Sequence, residues 1–408
     1  MRVSFGRAQL RWTLRSLAAL TLVLMLAAAA YAVHVAQRRS APVSLPAPTG
    51  PYAVGRTIFE WTDPARIDTL APQPGTVREL SVWLWYPAAP GPGAAPAAYA
   101  PGAWSGLQLS GPVGLGETNL AAVHPHAVAD AEVAGGRFPI VVLEPGLGFA
   151  APQFTTLAEN LASYGFLVAG VTPTYSANLT VLGGRAVHAT RSGNPPAFDS
   201  TDLHSDRADQ AGDALVATWA ADARFAAAQV AALDTTNRFR DHVDPAMTAY
   251  LGHSFGGAAA LEACRTDTHC AGAIDLDGTQ FGPVVRAGLG KPMLLIGSAD
   301  SCITGICADR NSTRDTAATL TAASTGPIWC YRVRGAKHFN FSDYGVYYLA
   351  APLRSQMALG DLAGDRALTL VDEYSAAFIE HVVGGRAEPL LANDIAPYPE
   401  IEVQRIPD

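Results

Sequence analysis

An α/β fold, with a mostly parallel central sheet and helices on both faces, is predicted by three observations on this sequence. Short apolar runs alternate with alanine-rich segments of helical spacing. The runs are continuous rather than polar at every second position, as strands covered on both sides must be. One of them ends in Gly252-His253-Ser254-Phe255-Gly256 and opens directly into an alanine-rich helix, the pattern of a nucleophile elbow. At 408 residues and 49% hydrophobic content the chain can bury a large core. Its formal net charge of −8, with no basic run beyond the first forty residues, excludes a nucleic-acid groove.

Residues 1–40 are a separate object. Arg2, Arg7, Arg11 and Arg15 precede an uncharged stretch from Ser16 to Val33, which Arg38 and Arg39 close. Eighteen residues at helical rise span about 27 Å, close to a hydrocarbon core, so a membrane anchor is expected, although Ala30-Tyr31-Ala32 also fits a signal cleavage site. The leading arginines keep the amino end cytoplasmic and put the remainder on the exported side, periplasmic or extracellular. Residues 41–54, rich in Pro, Ala and Ser, read as an extended linker, and residues 55–408 as one domain.

Within that domain Arg56–Trp61 and Arg78–Tyr86 have the β-branched and aromatic character of strands, and a Pro, Gly and Ala loop over 87–101 ends the pair. Phe138–Leu143 is a buried strand, Thr155–Tyr164 a helix and Phe166–Val171 another strand. Asp206–Leu233 reads as one or two amphipathic helices, a helical insertion near 203–233 placed to border a cleft. Further strands are expected at Thr248–Leu251, Ala271–Leu276, Pro292–Ile296 and Ile328–Val333, with helices after Gly257, near Arg314–Ala322 and around Ala367–Val382. No internal repeat is present.

Ser254 is the candidate nucleophile. A hydroxyl needs a histidine to take its proton and a carboxylate to orient that histidine. In elbow-bearing α/β-hydrolases both come after the serine, acid first. Of the downstream histidines, His269 sits in the short loop after the elbow helix and His381 within the last helix, which leaves His338, in a loop at a strand's carboxyl end. Two strand ends offer the acid. Asp277 lies past the end of 271–276, beyond Asp275 on the same side, and Asp300 closes the next strand; spacing alone does not choose between them.

The five cysteines lie between Cys264 and Cys330, consistent with an oxidising compartment. Cys264 with Cys270 and Cys302 with Cys307 each flank a short loop and could close locally. Pairing of Cys302 with Cys330 stays open. His124 and His126 form an HxH without the carboxylates a zinc site would add, so no metal is expected.

Arg56-Thr57 to Asp63, Val82 to Pro87, Gly146-Leu147-Gly148, Gly252 to Gly257, Leu276-Asp277 and His338 with Phe341-Ser342-Asp343 together resemble the blocks of the platelet-activating factor acetylhydrolases, the lipoprotein-associated phospholipase A2 type and its bacterial relatives. The resemblance covers most of the chain after residue 40. It implies an α/β-hydrolase fold, a serine esterase acting on short acyl esters such as the sn-2 group of phospholipids, and no cofactor. It also favours Asp277 over Asp300, since the family's acid comes after the serine at the separation seen here, 277 minus 254, or 23 residues. An oxyanion hole of the Leu147 and Phe255 N–H groups is implied as well. The chain departs from the family's usual His-Gly pair in that first loop, where Pro145, preceded by Glu144, replaces the histidine. A general carboxylesterase or polyesterase is the neighbouring alternative, and a non-catalytic binding module on the same fold the more distant one.

Overall fold

Period-two alternation inside the apolar runs sorts the core into two layers. In residues 138–144, Val141 and Leu143 face one layer while Ile140 and Val142 face the other. In residues 293–297, Leu294 and Ile296 join the first layer, and Met293 and Leu295 the second. Both faces are dry, which is why the sequence shows no polar alternation. The molecule is known from a computed structural model, described for residues 7–108, 114–199, 205–299, 301, 316–392 and 396–404.

The described strands of the main sheet are β1 (Ala53–Ile67), β2 (Val77–Ala88), β3 (Val128–Ala129), β4 (Phe138–Glu144), β5 (Leu167–Thr172), β6 (Val243–His253), β7 (Cys270–Leu276), β8 (Met293–Gly297), β9 (Ile328–Val333) and β10 (Ile401–Val403). Their spatial order is β10-β9-β8-β7-β6-β4-β5-β2-β1-β3. The six from β9 to β5 are mutually parallel; β10 and β2 run antiparallel to their neighbours at the two ends of that block. The helices are α1 (Arg7–Arg38), α2 (Thr155–Ser163), α3 (Asp206–Ala232), α4 (Phe255–Thr266), α5 (Thr316–Ala323) and α6 (Gly364–Gly384). Leu157 and Leu161 of α2 and Leu370, Tyr374 and Phe378 of α6 cover one face. Ala223, Ala226 and Val230 of α3, Ala260 and Leu261 of α4 and Leu320 of α5 cover the other. This is the α/β-hydrolase arrangement, with an apolar amino-terminal helix added.

Two elements differ from expectation, the first hairpin and the segment 41–54, and the helix after residue 205 takes the simpler of its two expected forms. The first two strands form a hairpin longer than their apolar cores, because Glu60, Thr62 and Asp63 pair with Ser81, Glu79 and Arg78 beyond them. Residues 206–232 make one helix, N-capped by Ser205. Its buried stripe, Val216, Trp219, Ala223, Ala226 and Val230, makes it a packing helix along much of its length. The segment 41–54 is extended but docked: Val43 and Ser44 pair with Val123 and His124, and Leu45 is buried. Asn160 Oδ1 accepts the Thr49 N–H at 3.0 Å, and Ser163 Oγ accepts the Gly50 N–H at 2.9 Å. α1 itself joins this contact, with Val35 buried and the Arg39 carbonyl accepting the Asn119 N–H at 2.7 Å. The small and apolar residues that suggested a spacer are those that fit against the domain. From Arg11 onward the remainder of α1 is exposed, and its stretch Arg11–Arg38, which contains an 18-residue window of mean hydropathy 2.2, is long and apolar enough to cross a membrane.

Candidate active site

Ser254 stands between β6 and α4 with φ 56° and ψ −125°, a left-handed conformation a serine adopts only when the surroundings impose it. The glycines on either side are required by close approach. A Cβ on Gly252 would lie 2.1 Å from the Gly256 carbonyl oxygen, and one on Gly256 would lie 2.3 Å from that of Glu144. The turn is therefore tight enough to lift the hydroxyl clear of the sheet.

β9 delivers His338 to the same edge. The ring lies with Nε2 2.9 Å from Ser254 Oγ and Nδ1 2.6 Å from Asp277 Oδ2, so that Ser254 donates to His338 and His338 to Asp277. His338 keeps 34% of its side-chain surface exposed, whereas Asp277 keeps 3%. Asp277 comes directly after β7 at φ 57°. Its N–H donates to the Ile296 carbonyl at 2.7 Å, and its Oδ1 accepts the Ser298 N–H at 2.6 Å. Burial alone would raise this carboxyl. The hydrogen bond and charge of His338, with the Ser298 amide, outweigh it and hold Asp277 below the usual carboxylate range.

The loop carrying His338 is fixed at several points. Asn340 Oδ1 accepts the N–H groups of Lys337 and Gly360 at 2.9 and 2.7 Å. Asp343 accepts those of Thr155 and Thr156, at the start of α2, at 2.9 and 3.2 Å. His253 adds a third support by donating from Nε2 to the His338 carbonyl at 2.9 Å. Burial and the neighbouring His338 push the His253 imidazole down to about 3, so it stays neutral and keeps that proton on Nε2. Sequence reasoning assigned none of these three a role. The signal was there in the side chains themselves, a histidine beside the nucleophile and an Asn-Phe-Ser-Asp run after the base.

The loop 145–148 crosses directly over the serine, where a Cβ on Gly146 would lie 3.2 Å from Ser254 Cβ. Among the described residues, no turn or loop carbonyl accepts from the Leu147 or Phe255 N–H. Half-buried Phe149 and Phe339 meet edge to face at 4.9 Å, next to the His338 ring. Cys264 and Cys270 are joined in a disulfide between the end of α4 and the start of β7. Cys330 is a buried free thiol, pushed up to about 12 by burial. Asp300, Cys302 and Cys307 lie outside the described residues. His126 donates through Nε2 to the Leu45 carbonyl, 2.9 Å away, while His124 is exposed; among the described residues no three metal-ligating side chains converge.

A family model described as platelet-activating factor acetylhydrolase, isoform II, matches residues 229–388, the stretch that contains Ser254, Asp277 and His338. The solved ferulic acid esterase from Streptomyces cinnamoneus superposes with a TM-score of 0.73 at 30% identity, over 90% of this chain and 100% of its own. The chain belongs to the α/β-hydrolase esterases. The platelet-activating factor acetylhydrolase of Cavia porcellus is 23% identical over 264 residues, 61% of this chain and 58% of that protein. A probable 1-alkyl-2-acetylglycerophosphocholine esterase of Arthroderma benhamiae is 28% identical over 169 residues, 37% of this chain and 41% of that protein. The chain thus spans roughly half the length of these two relatives.

Proposed function

We propose that this chain is a serine esterase that hydrolyses short acyl esters through an acyl-enzyme. The observation that carries the reading is the continuous contact from Ser254 Oγ through both nitrogens of His338 to Asp277 Oδ2. In this reading Ser254 attacks the ester carbonyl while His338 Nε2 takes its proton. Asp277 keeps the ring in the required tautomer and balances the imidazolium. The N–H groups of Leu147 and Phe255 receive the charge that develops on the carbonyl oxygen. His338 then returns its proton to the leaving alcohol, and a water that it activates releases the acid. No step needs a metal or an organic cofactor.

The sn-2 acetyl or short acyl group of a phospholipid is the substrate supported by the named relatives among acetylhydrolases and glycerophosphocholine esterases. A second reading, esters with an aromatic acyl group, is favoured by the Phe149 and Phe339 pair beside His338 and by the ferulic acid esterase. Anchorage of an exported domain by residues 16–33 is supported by the apolar helix α1. Purified protein is expected to turn over p-nitrophenyl acetate and to be labelled at Ser254 by a fluorophosphonate; failure of both ends the esterase reading. A panel of acetylated phospholipid against methyl ferulate ranks the two substrate classes.

A further inference from the structure

Asp275 is a buried acid that the proposed mechanism does not use. It sits on β7 two residues before Asp277, on the side of the sheet that α4 covers, and is 1% exposed. Its Oδ2 accepts the Gln280 Nε2 donor at 2.6 Å, and the same Nε2 donates to the Gly278 carbonyl at 2.8 Å. Among the described residues its Oδ1 has no hydrogen-bond partner.

The surroundings of Oδ1 are backbone of the two turns that matter. A Cβ on Gly257, in the first turn of α4, would lie 1.9 Å from Oδ1, and one on Gly278, next to Asp277, would lie 2.2 Å from it. Those same two points lie 3.1 Å from the Gly252 carbonyl oxygen and 2.5 Å from that of Ser254. The carboxyl group thus fills the space that two glycines vacate, between the first turn of α4 and the turn that carries Asp277. A carboxylate held in that space with no fixed cation against it keeps the full cost of burying its charge, whereas the neutral acid does not.

We propose that Asp275 is a positioning residue that works as the neutral acid, its O–H wedged between the nucleophile turn and the acid turn so that Ser254 and Asp277 keep their spacing. The inference rests on the reading of Ser254, His338 and Asp277 as a triad. The electrostatics agree with it. Burial pushes the Asp275 carboxyl up to about 7; the Gln280 hydrogen bond, the Gly278 amide and His338 oppose the rise, and the Asp277 charge adds to it. The titratable groups acting on it are Asp277 at its own strand end and His338 from the loop after β9. Ionisation of Asp275 would remove the wedge's donor and set a second negative charge beside Asp277.

The test is a pH profile of kcat and KM for p-nitrophenyl acetate on the full chain, for wild type, Asp275→Asn, Asp275→Ala and Gln280→Ala. Wild type is expected to show an acid-side ionisation of the base and a second, alkaline-side ionisation near neutrality. Asp275→Asn keeps the donor and the shape without the charge; it should hold kcat within about threefold at pH 6 and lose only the alkaline limb. Asp275→Ala should lower kcat at least tenfold with KM little changed. Gln280→Ala removes a donor to the charged form and should move the alkaline limb to higher pH. The proposal is overturned if Asp275→Asn costs as much as Asp275→Ala at pH 6, if it keeps the alkaline limb, or if both variants match wild type. Should the wild type itself take no fluorophosphonate label at Ser254, it is the triad reading that fails, a result separable from any of these.

Discussion

Two clusters of buried charge lie on opposite halves of the sheet, and they are built to different rules. On the hairpin side Arg78, 1% exposed, donates to Asp222 through Nε and Nη2 at 3.1 and 2.5 Å, to Asp68 at 2.8 Å and to the Thr174 carbonyl at 2.9 Å. Arg66 reaches the same Asp222 and also Asp63. Every charge there meets a fixed opposite charge, so the cluster ties β1, β2 and α3 together and has no reason to change state. On the other half Asp277 meets a histidine whose proton can move, and Asp275 keeps one oxygen without a partner among the described residues. Permanent compensation makes a joint; conditional compensation makes a site.

The contrast is sharpest in what each half loses on mutation. Ser254→Ala should abolish ester turnover, by about four orders of magnitude or more, while leaving the melting temperature near that of wild type. Asp277→Asn should cost about 10⁴ in kcat, whereas Asp300→Asn assayed beside it should cost little; the reverse ranking would move the acid to Asp300. Arg78→Met should act oppositely, lowering stability by about 3–5 kcal/mol in chemical denaturation, with activity per folded molecule preserved. A large loss of turnover in the folded Arg78 variant would erase the distinction between the two halves.

Smaller effects probe the ground between them. His253→Phe keeps the packing but removes the donor to the His338 carbonyl, and kcat should fall about tenfold, a little over 1 kcal/mol in the barrier. Glu144, at the end of β4, is buried with both carboxyl oxygens unpartnered among the described residues, and burial together with the charge of Asp222 raises it well above the ordinary range. An acid raised in the folded state contributes most below its unfolded pKa and loses stability as pH climbs from there toward its folded value. Glu144→Gln should therefore raise the melting temperature more at pH 8 than at pH 5. An equal shift at both pH values would mean that Glu144 is charged in the fold.

How much of this was legible in the sequence depends on the range of each cause. The elbow at 252–256, the sheet strands and the position of His338 rest on local spacing and on burial of continuous apolar runs, so they could be read along the chain. Spacing could name Asp277 but not choose it over Asp300, because its geometry depends on β8, whose end supplies the Ser298 amide; the choice came from the family resemblance. The Arg78 cluster stayed hidden, since its partners are 10 and 144 residues away. The docking of residues 41–54 was hidden for a similar reason: Asn160 and Ser163, which receive it, look like ordinary helix residues until the fold sets them beside it.

That docking has a mechanical consequence. Val35 is already seated on the domain before α1 ends at Arg38, and Val43 is paired to Val123 soon afterwards, so hardly any free chain separates the apolar rod from the body it carries. A rod fused in this way sets both height and heading: whatever α1 is planted in, the cleft around Ser254 is presented at one fixed angle, like a lamp on a rigid post rather than a buoy on a line.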